Sequence, residues 1–133
     1  MLLKNLLLTQ LQLERIKPIQ PSQRAKRIDE ELDSYARLKK RNEDYLNQYD
    51  ELFRLITIWL LVQGYDLTNI QPHQVLKVVC QWHCPDCDIE QMIQQRHLIK
   101  KRLAFSAQTK CTSNLQQCLH YFQTQLQAYV SLA

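Results

Sequence analysis

The feature that most restricts the fold is the near absence of glycine: the chain of 133 residues contains one, Gly64, together with four prolines. Folds made of short strands need a tight turn about every ten residues, and glycine is the residue that many of those turns demand. Residues that keep most of their rotamer freedom in a helix, such as Leu, Gln and Lys, are abundant instead. The sequence therefore predicts an all-α fold, a bundle of about five helices in a single domain over residues 1–133.

Apolar residues spaced three and four apart outline the first two helices. The first covers residues 2–16. The second begins at Ser22, a predicted N-cap, and its apolar stripe continues to Gly64, which is predicted to end it. An unbroken helix of that length would measure about 60 Å, too long for a domain of this size. We therefore expect it to kink, with Asn42 as a plausible break, or to project, with residues 22–50 as a possible helical arm.

The chain from Phe53 to Gly64 is apolar on almost every side, which is typical of a helix in the centre of a core. Residues 65–71 are predicted to form a loop. Pro72 then suits the first turn of a third helix, where its missing N–H group costs nothing.

Two further helices complete the predicted bundle. Asp86 or Asp88 caps the fourth, whose apolar pattern runs through residues 89–105. Ser113 and Gln116 form a predicted capping box for the fifth helix, which extends to the end of the chain.

The expected cellular location is the cytoplasm. The opening residues 1–10 are rich in leucine, but Asn5 and Gln10 interrupt the apolar run, as expected for an amphipathic helix and not for a signal peptide. The longest apolar run, residues 55–62, is far shorter than the ~20 residues that span a bilayer. The odd number of cysteines, five, indicates a reducing compartment.

Charge is distributed unevenly along the chain. Residues 1–90 hold twelve Lys or Arg and thirteen Asp or Glu, whereas residues 91–133 hold five Lys or Arg and no acidic residue. Most of this excess lies on one side of helix four, a group that we name the basic face: Arg96, His97, Lys100, Lys101 and Arg102. Such a face predicts contact with nucleic acid or with an acidic protein surface, although clusters of this kind are also common as solvated helix faces.

Arg96 differs from the other members because it occupies a position of the apolar stripe, between Ile93 and Ile99. A guanidinium group at such a position needs polar partners or a wet cleft. The alternative is that its methylene stem packs while its charged end reaches the surface.

Metal-binding residue types are concentrated where helix three ends, at Cys80, His83, Cys84 and Cys87. Zinc prefers these ligands, and His97, Cys111 or Cys118 could complete a tetrahedral site. Cysteine is also among the most frequently buried residues, so a core role for the same group is the alternative. The segment from Trp82 to Cys87 is also similar to the redox motif of thioredoxin-like proteins, but that motif follows a strand and this segment follows a helical pattern.

Residues 53–105 resemble a HEPN-type helical domain in their layout. The apolar helix ends in Gly64-Tyr65, a Pro72-His73 pair opens the next helix, and a basic helix carries Arg96 and Lys101-Arg102. Active members are metal-independent RNases in which an arginine is followed four to six residues later by a histidine. Ser106, Ala107 and Gln108 occupy that window after Arg102. The resemblance therefore implies a relative without the nuclease motif that binds RNA or a protein, with an RNase-related or toxin–antitoxin-type protein as the alternative.

A second resemblance is to histidine phosphotransfer domains, which expose a histidine followed three residues later by lysine. His97 and Lys100 keep that spacing, but Lys101 stands where the family has a small residue. Taken together, the patterns favour a non-enzymatic binding protein that needs no cofactor. A homodimer through helix two is also plausible.

Overall fold

The structure, a computed structural model, describes residues 2–130. Helices make up 72% of it, so the predicted all-α class is confirmed, with the addition of a small two-stranded sheet. The elements of the described chain are α1 (Leu3–Gln12), β1 (Ile16–Pro18), α2 (Pro21–Lys39), α3 (Tyr45–Gln63), β2 (Tyr65–Leu67), α4 (Pro72–His83), α5 (Ile89–Lys100), α6 (Thr109–Gln125) and α7 (Gln127–Val130). The predicted last helix reaches residues 131–133, which lie outside the described residues. None of the described helices is long and apolar enough to cross a bilayer.

The long predicted second helix is two helices, α2 and α3, joined by an exposed turn at residues 40–44. Asn42 lies in this turn, as predicted. The Asp44 side chain accepts a hydrogen bond from the Asn47 backbone N–H at 2.8 Å and so caps α3. The two helices pack antiparallel, since the Asn47 side chain donates to the Leu38 carbonyl at 2.7 Å near the turn and Arg54 pairs with Glu31 farther from it. Residues 22–50 thus belong to a packed helical pair.

Helix α3 is the centre of the core, as its apolar composition predicts. Leu52, Leu55, Ile58, Leu60 and Leu61 have no exposed surface. Helices α2, α4, α5 and α6 all pack against it. Burying so many large side chains on every side of one helix supplies most of the hydrophobic free energy that holds the bundle together.

The sheet corrects two predictions. Ile16, the predicted last residue of the first helix, begins a strand, Ile16–Pro18, and Tyr65–Leu67, predicted as loop, is the antiparallel partner of that strand. Gly64 ends α3 as predicted, with φ of 99°, and the chain then turns directly into β2. Strand pairing wins because it buries Ile16, which is 1% exposed, and satisfies backbone groups that a helix end would leave open.

Helix starts agree with the predicted caps at some positions only. Asp88 caps α5 by accepting from the Gln91 backbone N–H at 3.1 Å. Helix α2 begins at Pro21, before Ser22, because a proline at the first helical position fixes φ in advance. Helix α6 begins at Thr109, so Ser113 and Gln116 lie inside the helix and form no capping box.

Candidate nucleic-acid interface

The basic face lies on the last two turns of α5 and just beyond them. Arg96 is half-buried, and the side chains of His97, Lys100, Lys101 and Arg102 are exposed. Within residues 2–130, none of these five side chains makes an ion pair or a hydrogen bond. Their positive charge is therefore not neutralised by a direct protein partner.

Arg96 occupies its apolar position because it covers an aromatic ring. Its guanidinium carbon lies 4.9 Å from the centroid of the Tyr49 ring, and Tyr49 has no exposed surface. A guanidinium over an aromatic ring gains from cation–π attraction, and this contact uses none of its N–H groups as hydrogen-bond donors. The stem of Arg96 completes the packing while the charged end stays available.

His73 joins the same group from the first turn of α4. Its Nδ1 lies 3.1 Å from the Tyr49 hydroxyl, and its ring centroid is 5.3 Å from that of Phe53. Burial lowers the pKa of His73 from its usual 6.5, and the charges of Arg96 and Lys100 lower it further, against the opposing effect of Asp50. His73 is therefore neutral at physiological pH.

Burial also raises the pKa of Tyr49, although the charge of Arg96 acts in the opposite direction. The phenol consequently keeps its proton. Residues from three helices, α3, α4 and α5, thus meet in one cluster that joins a buried phenol, a neutral imidazole and two cations.

The chain after α5 presents apolar side chains to solvent. Helix α5 ends in a Schellman motif, in which the Arg102 N–H donates to the Ile99 carbonyl at 3.0 Å and the Leu103 N–H donates to the Leu98 carbonyl at 2.8 Å. Arg102 occupies the left-handed position of this motif, with φ of 59°, where glycine is the usual residue. Beyond it, Leu103 is 73% exposed and Phe105 is fully exposed.

A second basic group lies on the other side of Phe53. A cleft of about 350 Å³ there is lined by three arginines together with residues of α2 and α3: Ser34, Arg37, Leu38, Arg41, Asp50, Phe53 and Arg54. Along the chain, Arg37 and Arg41 lie among acidic residues and do not stand out as a separate basic group. Only the packing of α2 against α3 places them beside Phe53, and hence near His73.

Three of the four predicted zinc ligands, the thiols of Cys80, Cys84 and Cys87, lie close to the Cys118 thiol, but the fourth, His83, has other partners. The Nδ1 atom of His83 lies 2.8 Å from the Tyr121 hydroxyl, and its ring packs against Trp59 and Phe122. In the part of the chain that the structure describes, no group of three or more His, Cys, Asp or Glu side chains could hold a metal ion. The geometry therefore does not support a zinc centre at Cys80, His83, Cys84 and Cys87.

The cysteines are core residues. All five are buried as free thiols. Burial raises the pKa of Cys84 and of Cys87 to about 12, with nearby Cys118 as the next cause. Thiols with raised pKa values stay protonated at neutral pH and are poor nucleophiles, so the geometry does not favour the redox reading either.

His97, the residue that suggested phosphotransfer, is exposed on α5.

Comparison with protein-family models finds no match, and comparisons with curated proteins and with solved structures find none either. The resemblances to HEPN-type and to phosphotransfer domains therefore stay hypotheses.

Proposed function

We propose that this protein is a non-enzymatic helical module that binds single-stranded nucleic acid through the basic face of α5. The observation that carries the proposal is the combination of the basic face, whose five side chains have no ion-pair partner among residues 2–130, with the fully exposed ring of Phe105. Proteins that bind single strands use the same two elements, cations that follow the phosphates and aromatic rings on which bases stack.

Electrostatics supports a polyanion as the ligand. The last 43 residues, 91–133, hold no acidic residue, so α6 carries no negative charge and α5 carries only Glu90, in its first turn. The cleft beside Phe53 adds the exposed Arg37 and Arg41, whereas its third arginine, Arg54, is paired with Glu31. The field of such a surface raises the association rate with a polyanion and makes the affinity depend on salt.

An exposed aromatic ring favours nucleic acid over an acidic protein surface. A solvated phenylalanine offers nothing to a carboxylate, whereas a base can stack on it, a contact worth roughly 1–3 kcal/mol per base. The HEPN resemblance makes RNA the first ligand to test. A homodimer through helix two stays a separate prediction, since it would involve α2 and not the basic face.

The test compares two variants that lose equal charge. The first, Lys100→Gln with Lys101→Gln and Arg102→Gln, removes three charges from the basic face. The control, Lys4→Gln with Lys17→Gln and Lys26→Gln, removes three exposed charges from the other end of the chain. Binding to a fluorescent single-stranded oligouridine is measured by anisotropy between 50 and 200 mM salt.

The basic-face variant should bind at least about tenfold more weakly and should show a salt slope smaller by about 2, since each phosphate contact with a single strand contributes about 0.7. The control should keep most of its affinity. Equal losses in the two variants, or affinity that does not respond to salt in the unmodified protein, would refute the proposal. Binding to polyglutamate that is tighter than binding to the oligonucleotide would replace nucleic acid with an acidic protein partner.

A further inference from the structure

We infer that His73, Arg96 and Lys100 form a preorganised site for one phosphate group, with Tyr49 as the positioning residue. The inference rests on the proposed function only for the identity of the molecule that carries the phosphate. The site itself follows from the contacts of His73 and Arg96 with the same buried residue, Tyr49, and from the position of Lys100 one helical turn after Arg96.

The buried phenol of Tyr49 determines which nitrogen of His73 carries the proton. Tyr49 keeps its proton, and the only hydrogen-bond partner of its hydroxyl in the described chain is Nδ1 of His73, at 3.1 Å. A buried hydroxyl proton requires an acceptor, so Nδ1 accepts and the imidazole hydrogen lies on Nε2. Nε2 makes no hydrogen bond in residues 2–130 and is not enclosed, which leaves it as a donor directed to the surface.

Two cations act electrostatically on this imidazole. Arg96 and Lys100 are one helical turn apart on α5, and both charges act on His73. Because the guanidinium of Arg96 rests on the Tyr49 ring, its orientation is fixed before any ligand arrives. A planar guanidinium fork, an ammonium group and an imidazole N–H together match the several acceptor oxygens of a phosphate group.

Asp50 is the acidic group that acts on this cluster, since its charge opposes the effect of the two cations on His73. It is exposed on α3, between Tyr49 and Phe53. An adjacent carboxylate weakens the binding of an anion. Removing its charge should therefore strengthen phosphate binding, an increase that a general loss of structure would not produce.

The neutral state of His73 gives the site a characteristic pH dependence. The groups that face the imidazole are the Tyr49 phenol and Asp50 of α3 together with Arg96 and Lys100 of α5. As the Nε2 donor belongs to the neutral form, affinity for a phosphate dianion should not fall as the pH rises from 6.5 to 8. A site that depended on a charged imidazolium would lose affinity over the same interval.

The experiment follows the His73 imidazole by ¹H–¹⁵N NMR while inorganic phosphate is added. Saturable shifts of the His73 signals are expected at millimolar phosphate. Arg96→Met should weaken binding at least about tenfold, and Arg24→Met, which removes a half-buried arginine on α2, serves as the matched control. Asp50→Asn should tighten binding about two- to fivefold.

Tyr49→Phe tests the positioning role, because it keeps the ring under Arg96 and removes only the hydroxyl. It should change the tautomer signature of His73 and weaken phosphate binding about threefold or more. If this buried substitution destabilises the protein, His73→Gln provides the second variant, with the same expected loss. Phosphate binding that is insensitive to Arg96→Met and to His73→Gln, or His73 signals that do not respond to phosphate, would overturn the inference.

Oligonucleotides with and without a 5′-phosphate identify the source of the phosphate. Tighter binding of the phosphorylated strand that is lost in Arg96→Met indicates a terminal phosphate, and equal binding of both strands that Arg96→Met weakens indicates a backbone phosphate. Nucleic-acid binding without any response at His73 would refute this site and leave the proposed function intact. A response of His73 to phosphate without any nucleic-acid binding would support this site and refute the proposed function.

Discussion

Arg27 and Arg96 occupy similar positions, half-buried on a helix, but they have opposite surroundings. Arg27 donates through Nε to Asp66 at 2.8 Å and through its two terminal nitrogens to Glu30 and Glu31 at 3.0 and 3.2 Å. Arg96 has no carboxylate partner in the described chain and rests on an aromatic ring. The difference indicates which charge serves the fold and which is available to a ligand.

The Arg27 network joins α2, α3 and β2. Glu31 is 6% exposed and pairs with Arg27 of its own helix and with Arg54 of α3, at 3.0 Å. The carboxylate of Asp66 also accepts from the Leu67 backbone N–H. Hydrogen bonding to Asp66 raises the pKa of Arg27, so this arginine is charged at every accessible pH. The sequence around Glu31 is charged and typical of a solvated helix face, but packing against α3 covers this residue.

A third charged region provides a contrast of another kind. Glu51 is 2% exposed, and its Oε2 has no hydrogen-bond partner in the described chain. Burial, followed by the neighbouring Glu43, raises the pKa of Glu51 to about 7, against a smaller effect of Lys39. Glu31 is thus a buried carboxylate with two cations, and Glu51 is a buried carboxyl group next to another acid.

The largest expected effect comes from breaking the Arg27 network. Glu31→Gln leaves two arginines without their shared carboxylate. We expect it to lower the free energy of unfolding by about 3 kcal/mol. This value is at the lower end of the range for breaking a buried ion pair, because both arginines are partly exposed. Arg96→Met should cost about 1 kcal/mol or less, the value of one cation–π contact. Urea unfolding followed by circular dichroism measures both.

Ligand binding should show the opposite ranking of these two variants. At temperatures where the Glu31→Gln variant is folded, it should bind single-stranded RNA with the affinity of the unmodified protein. The Arg96→Met variant should bind the same RNA more weakly. If both variants lost stability and binding in parallel, the distinction between a structural and a ligand-binding arginine would be wrong.

Glu51 should make stability depend on pH, with the next largest effect. The folded state holds the proton of Glu51 up to about pH 7, whereas the unfolded chain releases it near the usual value of 4.5. The contribution of Glu51 to the free energy of unfolding is therefore greatest below pH 4.5. It falls as the pH rises to about 7 and is constant at higher pH.

Glu51→Gln removes this dependence, since an amide stays neutral. We expect the variant to be more stable than the unmodified protein by up to about 3 kcal/mol at pH 8 and nearly equal at pH 4.5. Urea unfolding at these two pH values measures the difference. The same change in stability at both would show that Glu51 does not titrate near neutrality.

The smallest effect concerns Arg102 at the end of α5. Arg102→Gly relieves the cost of a left-handed backbone at a residue with a side chain. Glycine also adds entropy to the unfolded state, which reduces this benefit. We expect a net increase of about 0.5 kcal/mol in the free energy of unfolding. Removing the charge should also reduce the salt slope of nucleic-acid binding by about 0.7. Arg102→Ala is the matched control, because it loses the charge and keeps the backbone strain. A gain in stability without any loss of binding would remove Arg102 from the basic face.

Local features of the sequence were sufficient for most of the fold. Helix periodicity, the end of α3 at Gly64, the start of α4 at Pro72 and the Asp88 cap all depend on residues within a few positions of one another. The capping box at Ser113 failed because the same local pattern fits the inside of a helix as well as its start. The sheet was missed since each strand has only three residues, and its stability comes from a partner about fifty positions away.

By itself, the sequence determined the helical class, the central position of α3 and the concentration of positive charge on α5, because periodicity and charge count need no tertiary contacts. Only the tertiary structure decided what each charged group does. The pairing of Arg27 with Asp66 and the meeting of Tyr49, His73 and Arg96 join residues that are more than twenty positions apart. The physical reason is that the state of a charge depends on the dielectric and the partners around it, and packing between distant segments creates both.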